Sequence, residues 1–312
     1  MTKVAGSADE QPQITAAMVK ELREQTGAGM MDVKRALTEA GGNMEEARTI
    51  LRKKGLAAAT KKAGRITSEG AVQAYTSGNV GVLVEINCET DFVARTDQFR
   101  QFADDLAKLI AKSKANSVDQ LSSEAWNGET VAQKTQHVIA KIGENVTIRR
   151  FQRFEAPAGA TIGTYIHAGG KIGVMVELVA NNKNDRAQEV ARDVAMHVAA
   201  AEPRFLRRED VTQKDLDSER EIAREQALKS GKPENIVEKM VTGKIEKFYG
   251  EACLLEQPYI RNDKQNVSDY LKSAGKEAGC AYTVTRFVRY KLGEGIEKRG
   301  DDFAAEVMTY LK

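Results

Sequence analysis

Two short segments of the chain are nearly identical, and this internal repeat limits the folds that the sequence can adopt. GVLVEI at 81–86 and GVMVEL at 173–178 differ at two positions and lie 92 residues apart. Each belongs to a pair of alternating segments joined by a glycine-containing turn, which is typical of a β-hairpin. A helical pattern and a further alternating segment follow each hairpin. The sequence therefore predicts an α+β fold with two related units, each a three-stranded antiparallel sheet with a helix on one face.

The repeat sets the limits of two core subdomains. Core subdomain 1, at 71–155, contains a hairpin, a helix at about 99–112, a polar stretch and the closing strand NVTIRRFQRF. Core subdomain 2, at 156–290, contains a second hairpin, a helix at about 186–200 and the closing strand AYTVTRFVRY. We expect the two subdomains to pack together.

The region before the core predicts a small helical domain. Three short amphipathic patterns at 14–54, interrupted by glycines, indicate a three-helix bundle. Residues 1–13 are assigned to a disordered tail, and residues 55–70 to a basic linker. The segment at 52–65 holds six basic residues and no acidic one, so RNA phosphates are an alternative ligand. A solvated linker is the favoured interpretation, because no aromatic residues interleave as a stacking surface requires.

Core subdomain 2 carries an insertion at 213–249. Two charged helical segments are separated by SGKP at 230–233, which predicts an antiparallel coiled-coil hairpin. Its apolar stripe is wider than a contact between two helices requires, so it either packs on its own domain or meets another protein, including a second copy of the chain. The stripe comprises Ala223, Ala227, Leu228, Ile236, Val237, Met240, Val241, Ile245 and Phe248. The chain ends in a C-terminal module at 291–312, where Phe303, Val307 and Tyr310 predict a short amphipathic helix.

Composition and motif searches give no support for an enzyme. The formal net charge is +2, and the three cysteines are too widely spaced for a metal or disulfide pattern. HAGGKIG at 167–173 lacks the first glycine and the hydroxyl residue of a phosphate loop and lies in a hairpin turn. His197 lies on an apolar helix face and is interpreted as a buried, hydrogen-bonded group. We expect no cofactor, no metal, no membrane contact and no direct nucleic-acid contact. Because the first residues lack the apolar core of a secretory signal and include the acidic Asp9 and Glu10, which are atypical of a transit peptide, the cytoplasm is the expected location.

The segment CETDFVARTD at 88–97 is unusual, because it places Phe92 beside Asp91 in a predicted surface loop. In one interpretation the Phe92 ring turns inward and covers its own sheet. In the other, the ring fills a pocket of a partner protein while the Asp91 carboxylate interacts with the partner's cations. Composition alone favours the inward ring.

Several long motifs resemble the elongation factor Ts family and reverse that preference. EINCETDFVAR at 85–95 is similar to the hallmark of this family, and LREQTGAGMMDVKRAL at 22–37 is similar to its N-terminal signature. KIGENVTIRR, HAGGKIGV, AMHVAA, EKMVTGKIEKF and GEGIEK match in order, so that the resemblance covers residues 14–312.

The resemblance implies a guanine-nucleotide exchange factor of translation elongation in protein biosynthesis, without catalytic chemistry of its own. The implied partner is elongation factor Tu, bound to GDP or free of nucleotide. The family implies a ubiquitin-associated-like (UBA-like) N-terminal domain and dislocation of the partner's magnesium by an exchange element. By motif, Thr90, Asp91, Phe92 and Val93 form this exchange element, and the further partner contacts are Leu22, Met30, Met31 and His167. A binding adaptor without exchange activity is the main alternative.

Overall fold

The computed structural model describes residues 14–182, 184–229 and 231–296. It combines helices with antiparallel sheets, as the sequence predicts. Within these residues, no helix is both long enough and apolar enough to cross a membrane. The predicted tail at 1–13 lies outside the described residues.

The N-terminal region forms three helices around a small apolar core. They are α1 (Ala16–Thr26), α2 (Met30–Glu39) and α3 (Met44–Lys62). Gly27 ends α1 in the left-handed conformation, and the Asn43 side chain caps the amides of Glu45 and Glu46 at the start of α3. The buried residues come from all three helices and are Leu22, Val33, Ala36, Leu37, Ala40, Ala47 and Leu51.

Helix α3 differs from the predicted boundary at residue 54, because it continues through Gly55 into the segment assigned to the basic linker. The reason is tertiary packing. A Cβ atom at Gly55 would lie 3.0 Å from the Cβ atom of Ala140, so the glycine allows a close approach of two helices. Ala59 is buried in the core of the first sheet. Three of the six basic side chains make local contacts: Lys54 with Glu39, Lys62 with the Gly143 carbonyl and Arg65 with Glu89.

The first sheet has the strand order β1-β2-β5 and is antiparallel throughout. Helix α5 covers one face and buries Phe99, Leu106 and Ile110. The elements of this unit, in chain order, are β1 (Glu69–Ser77), β2 (Val80–Cys88), α4 (Asp91–Ala94), α5 (Asp97–Lys112), α6 (Val118–Ser122), β3 (Ala125–Trp126), β4 (Glu129–Thr130), α7 (Val131–Ile142) and β5 (Val146–Glu155).

The polar stretch before β5 is folded, although the sequence analysis assigns it no structure. Its helices α6 and α7 flank the two-stranded hairpin of β3 and β4, and Trp126 stacks on Phe102 with 5.6 Å between ring centroids. Helix α7 begins with a reciprocal capping box between Thr130 and Gln133 and ends at Gly143. It also packs against α3, which joins the N-terminal bundle to the core.

The second sheet has the equivalent order β6-β7-β10, and helix α8 packs on β6 and β7. This unit contains a hairpin, a helix and a closing strand in the order that the sequence predicts. The elements β8, β9 and α11 are not among those that the sequence pattern predicts. The elements are β6 (Ala160–His167), β7 (Ile172–Ala180), α8 (Ala187–Ala201), α9 (Gln213–Leu228), α10 (Glu234–Ala252), β8 (Pro258–Tyr259), β9 (Asn262–Asn266), α11 (Val267–Ala278) and β10 (Tyr282–Lys291).

Helices α9 and α10 form the predicted helical hairpin. Most of its apolar stripe lies between the two helices, and at the base Phe248 packs edge-on against Phe205 of its own domain. Leu228, beside the tip, is 50% exposed. The residues buried between the helices are Ala223, Ala227, Val237, Val241 and Ile245.

The two sheets pack face to face in an approximately two-fold arrangement, because repeat-equivalent residues make reciprocal contacts. A Cβ atom at Gly81 would meet Ile162 and Met175, and one at Gly173 would meet Val72 and Leu83. These glycines therefore let each strand approach the other sheet closely. The contacts of a two-fold homodimer have this reciprocity, but here both halves belong to one chain.

A buried glutamate occupies the same position in both sheets. Glu85 faces a bulge in β5, and its carboxylate binds Arg149 (2.8 Å) and Arg150 (2.6 Å). In the second sheet, Glu177 faces a bulge in β10 and binds Thr285 (2.6 Å) and Arg286 (2.6 Å).

Arg150 from the first sheet and Arg286 from the second sheet each also contact an aromatic ring of the opposite sheet. Arg150 lies 4.2 Å from the ring centroid of Tyr290, and Arg286 lies 4.1 Å from that of Phe154. The pair of contacts links the two halves through cation–π interactions.

The symmetry is broken where the C-terminal segment leaves β10. The Gly293 amide donates to Glu85 (2.9 Å), and Arg150 contacts the Glu294 carboxylate (3.2 Å). The first sheet thus holds the start of the predicted C-terminal module. The predicted helix with Phe303, Val307 and Tyr310 lies outside the described residues.

Candidate functional site

Residues Asp91–Ala94 form a single helical turn, α4, where the sequence predicts a loop, and Thr90 precedes this turn as its N-cap. The Thr90 hydroxyl caps this turn and accepts the Val93 amide (3.4 Å). The Phe92 side chain is 79% exposed, whereas Val93 and Ala94 pack against the core of the first sheet. The interpretation in which Phe92 turns inward is therefore wrong for this conformation, and Val93 takes the inward position instead.

Asp91 is paired within its own turn. Its carboxylate accepts a hydrogen bond from Arg95 at 2.7 Å, one turn along the chain, and the Asp91 and Arg95 side chains are 45% and 70% exposed. A surface pair of this kind contributes roughly 0.2–1 kcal/mol. Asp91 can therefore exchange Arg95 for another cation at little cost in stability.

The start of α4 is anchored to the loop between α7 and β5. Glu144 accepts hydrogen bonds from the Thr90 hydroxyl (2.6 Å), the Thr90 amide (3.0 Å) and the Glu89 amide (3.1 Å). The Glu89 carboxylate also accepts a hydrogen bond from the Asn145 backbone amide (2.7 Å). Glu144 is not among the site residues predicted from the sequence. The sequence feature that could have indicated Glu144 is its position in KIGENVTIRR, one of the motifs that carry the resemblance.

The Cys88 thiol next to α4 is not an activated nucleophile. Burial, reinforced by the negative charge of Glu144, raises the pKa of Cys88 to about 12. The thiol is therefore protonated at neutral pH, and it donates to the Thr90 carbonyl at 3.1 Å. Its role is to pack beneath the turn.

The predicted contacts of the N-terminal domain differ in exposure. Met30 and Met31 begin α2 and are 57% and 66% exposed. Leu22, in contrast, is 0% exposed and belongs to the core of the three-helix bundle. The structure therefore corrects the placement of Leu22 among the partner contacts, because its side chain is enclosed by its own domain in this conformation.

His167 ends β6 on the exposed rim of the second hairpin. Its Nδ1 atom lies 3.1 Å from the Tyr165 hydroxyl, and the two rings stack at 5.9 Å. The following turn is tied to the first sheet, because the Gly170 carbonyl accepts the Val72 amide at 2.8 Å. Strand β1, which contains Val72, also packs against α4. One strand thus supports both His167 and the Thr90–Val93 turn, whereas Met30 and Met31 lie on the separate bundle.

His197 is a buried structural group, as the sequence predicts. Its Nε2 atom lies 3.0 Å from Gln257 Oε1, and its Nδ1 atom accepts the Ile260 amide (3.3 Å). Burial lowers the pKa of His197, and the Gln257 hydrogen bond offsets part of this effect. Within the described residues, no group of three or more His, Cys, Asp or Glu side chains could hold a metal ion.

A cavity of about 800 Å³ separates the N-terminal bundle from α5 and α7. Its lining is chemically mixed and includes the basic Arg52 and Lys134, the acidic Asp105 and Glu129, and the apolar ring of Trp126. His137 pairs with Glu129 at 3.1 Å. The Thr90–Val93 residues do not line this cavity, and the exposed Phe92 ring makes the candidate site an accessible surface.

Comparisons with known proteins agree on one family. The profile of the family described as Elongation factor TS matches residues 89–294. The chain is 52% identical over 297 residues to an elongation factor Ts of Clostridium perfringens (strain SM101 / Type A), an alignment that covers 94% of this chain and 98% of that protein. It is 50% identical over 302 residues to an elongation factor Ts of Syntrophotalea carbinolica, covering 96% and 99% of the two chains. It is 51% identical over 304 residues to one of Clostridium kluyveri, with the same coverage.

Proposed function

Because the chain belongs to the elongation factor Ts family, we propose that it is the nucleotide exchange factor that makes elongation factor Tu release GDP during translation elongation. The observation that carries the proposal is the exposed Phe92 ring on an anchored turn. A large apolar side chain at that level of exposure, next to a carboxylate, is suited to insertion into a partner. We place the protein in the cytoplasm with the translation machinery.

Phe92 supplies binding free energy in this mechanism. Full burial of such a side chain in a pocket contributes roughly 1.5–3 kcal/mol. Because α4 is fixed at its base, this free energy can displace elements of the partner next to its nucleotide instead of bending the factor's own turn.

Asp91 acts on the magnesium site of the partner. Magnesium requires near-octahedral coordination and keeps several water ligands, so a small displacement of its surroundings weakens GDP binding. On insertion, the Asp91 carboxylate leaves Arg95 and enters the network of water and side chains around the ion. The factor accelerates release because it binds nucleotide-free elongation factor Tu more tightly than the GDP-bound form, and this coupling is reciprocal. The chain needs no catalytic group or cofactor for this function.

Further contacts make the interface wide. We propose that Met30 and Met31 bind the partner from the UBA-like domain, and that His167 binds it from the second core subdomain. The C-terminal module provides a further contact. Such separate contacts hold the partner while α4 disturbs its nucleotide site.

A binding adaptor without exchange activity is the alternative function. The two functions are separated by mixing the purified chain with elongation factor Tu that carries a fluorescent GDP analogue, in the presence of excess unlabelled GDP. Exchange activity accelerates the loss of fluorescence with increasing chain concentration. An adaptor would bind the partner and leave the rate at its spontaneous value, which would contradict the proposal.

The α9–α10 hairpin is expected to be dispensable for exchange. Its apolar residues pack mainly between its own helices, and it is an insertion in the second unit, away from α4 in the sequence. Replacing residues 213–249 by a short Gly-Ser loop should leave the maximal rate of GDP release within about threefold of the parental rate. Stopped-flow fluorescence measures that rate, and the melting temperature checks the fold. Loss of exchange in a folded, partner-bound variant would contradict this expectation.

Self-association through the hairpin is an alternative role for its exposed tip. Sedimentation of the parental chain and the variant without the hairpin tests it. A dimer that disappears with the hairpin would support self-association.

A further inference from the structure

Helix α4 cannot hold its own position. It contains only four residues, Asp91–Ala94, whereas isolated helices need roughly 12–15 residues to be even marginally stable in water. Its orientation therefore depends on the contacts at its two ends. The orientation also decides where the Phe92 ring points, because Phe92 has no buried face of its own.

The C-terminal end of α4 is fixed locally. Val93 and Ala94 pack on the first sheet, and the Thr96 hydroxyl donates to the Val93 carbonyl at 2.8 Å. The same Thr96 hydroxyl caps α5 by accepting the Phe99 amide (3.3 Å). These contacts connect α4 to the following helix.

The N-terminal end is fixed by Glu144, more than 50 residues along the chain. One carboxylate takes three hydrogen bonds from two successive residues, Glu89 and Thr90, at 2.6–3.1 Å. Hydrogen bonds to an ionised acceptor are roughly twice as strong as neutral ones. The Thr90 hydroxyl uses its proton for Glu144 and its lone pair for the Val93 amide, so a single side chain joins the anchor to the helical turn.

Glu144 is itself held in place. Gly143 ends α7 in the left-handed conformation, and its carbonyl accepts a hydrogen bond from Lys62 at 2.7 Å. Asn145 donates its amide to Glu89 and its side-chain NH₂ to the Arg65 carbonyl (3.0 Å). The loop 143–145 therefore connects the end of α3, the end of α7 and the start of α4.

We propose that Glu144 is a positioning residue for the exchange element, whose carboxylate fixes the direction in which Phe92 and Asp91 are presented to the partner. This inference rests on the proposed exchange function. Glu144 does not act on the nucleotide in this proposal, and it acts only through its hydrogen bonds with Glu89 and Thr90. Its removal should therefore lower the rate of release more than it lowers binding, because the other contacts of the interface stay in place.

The test is Glu144→Ala, with Glu144→Gln as a second variant that keeps the side-chain volume. At saturating concentration, Glu144→Ala should release GDP from elongation factor Tu about tenfold more slowly, while its affinity for the nucleotide-free partner changes by less than about threefold. Glu144→Gln should show the same pattern with a smaller decrease. The matched control is Glu251→Ala, which removes an exposed carboxylate from α10 and should keep the parental rate.

Hydrogen–deuterium exchange of the free protein separates positioning from general stability. In Glu144→Ala, amides in a peptide covering 89–94 should exchange about tenfold faster, while peptides from the second sheet keep their protection. A double-mutant cycle with Thr90→Val should be non-additive, because both changes remove the same hydrogen bond.

Two results would overturn the proposal: a parental release rate in Glu144→Ala, or a slower rate with unchanged protection of residues 89–94. The amide exchange needs no partner, so it can fail or succeed independently of the proposed function. If the parental chain itself does not accelerate GDP release, the proposed function fails, whatever the amides show.

Discussion

Replacing Phe92 by alanine is expected to slow the release of GDP from elongation factor Tu by roughly 10- to 100-fold at saturating factor concentration. The range follows from the loss of roughly 1.5–3 kcal/mol of ring burial in the transition state for release. Because the ring is 79% exposed in the free protein, its removal should leave the free energy of unfolding nearly unchanged. Stopped-flow release of a fluorescent GDP analogue measures the rate, and chemical denaturation measures the stability.

The matched control for this prediction is Leu228→Ala. Leu228 is also a large, exposed apolar residue, but it lies on the α9–α10 hairpin, outside the proposed exchange element. The Leu228→Ala variant should retain the parental rate of GDP release.

Asp91→Ala should lower the rate of GDP release in the same way as Phe92→Ala and should have little effect on folding, because the ion pair of Asp91 with Arg95 is on the surface. Parental rates in both variants would mean that α4 is a structural element, and His167 would be the next residue to test.

Glu85→Ala is expected to lower the free energy of unfolding by about 2–4 kcal/mol. The Glu85 side chain is fully buried, and its removal leaves Arg149, Arg150 and the Gly293 amide without their shared acceptor. The expected loss is smaller than for a fully buried pair, because the side chains of the two arginines are 25% and 31% exposed. Urea denaturation at neutral pH measures the difference. The control is Glu177→Ala. Because the arginine partner of Glu177 is 43% exposed, this variant should lose less free energy of unfolding than Glu85→Ala.

The Glu85 contribution should also depend on pH. Burial by itself raises the pKa of Glu85. The hydrogen bonds from Gly293, Arg149 and Arg150 together lower this pKa by more than burial raises it, so that the net pKa lies below the ordinary value of 4.5. The folded protein therefore binds this proton less readily than the unfolded chain. The stabilisation is fully present above about pH 4.5 and is lost as the pH falls through the folded value.

The difference in stability between the parental protein and Glu85→Gln should consequently narrow below pH 4.5. Denaturation midpoints at several pH values measure this difference. A gap that stays constant with pH would show that Glu85 does not act through its charge.

The sequence allowed prediction of the two sheets, because their strands have an alternating pattern and the repeat gives that pattern twice. Helices α7 and α11 were missed, although their ends carry local signals. Thr130 and Gln133 form a capping box before α7, and Asn266 and Gly279 cap the two ends of α11. The segment that forms α7 is polar overall, and its single apolar side was therefore not recognised as a helical pattern.

Side-chain orientations that depend on packing against residues distant in the sequence could not be predicted from local sequence patterns. The sequence places Phe92 and Val93 side by side, but only the contact of Val93 with the sheet decides which of them faces outward. Likewise, no local pattern joins Glu144 to Thr90 across 54 residues. The placement of Leu22 is different: its helical spacing with Met18 and Val19 already indicated a core position, and the resemblance assigned it to the interface instead.

The face-to-face packing of the two sheets has a consequence for synthesis on the ribosome. Phe154, near the end of the first sheet, is covered by Arg286 from the last strand, which is made more than 130 residues later. At a synthesis rate of roughly 5–20 residues per second, the first half waits on the order of ten seconds before its partner strand exists. During that interval Phe154 and the part of the shared apolar core that Tyr290 completes lack the cover of the last strand on the nascent chain. Ribosome-associated chaperones should therefore crosslink to chains arrested near residue 200 more strongly than to chains released at full length.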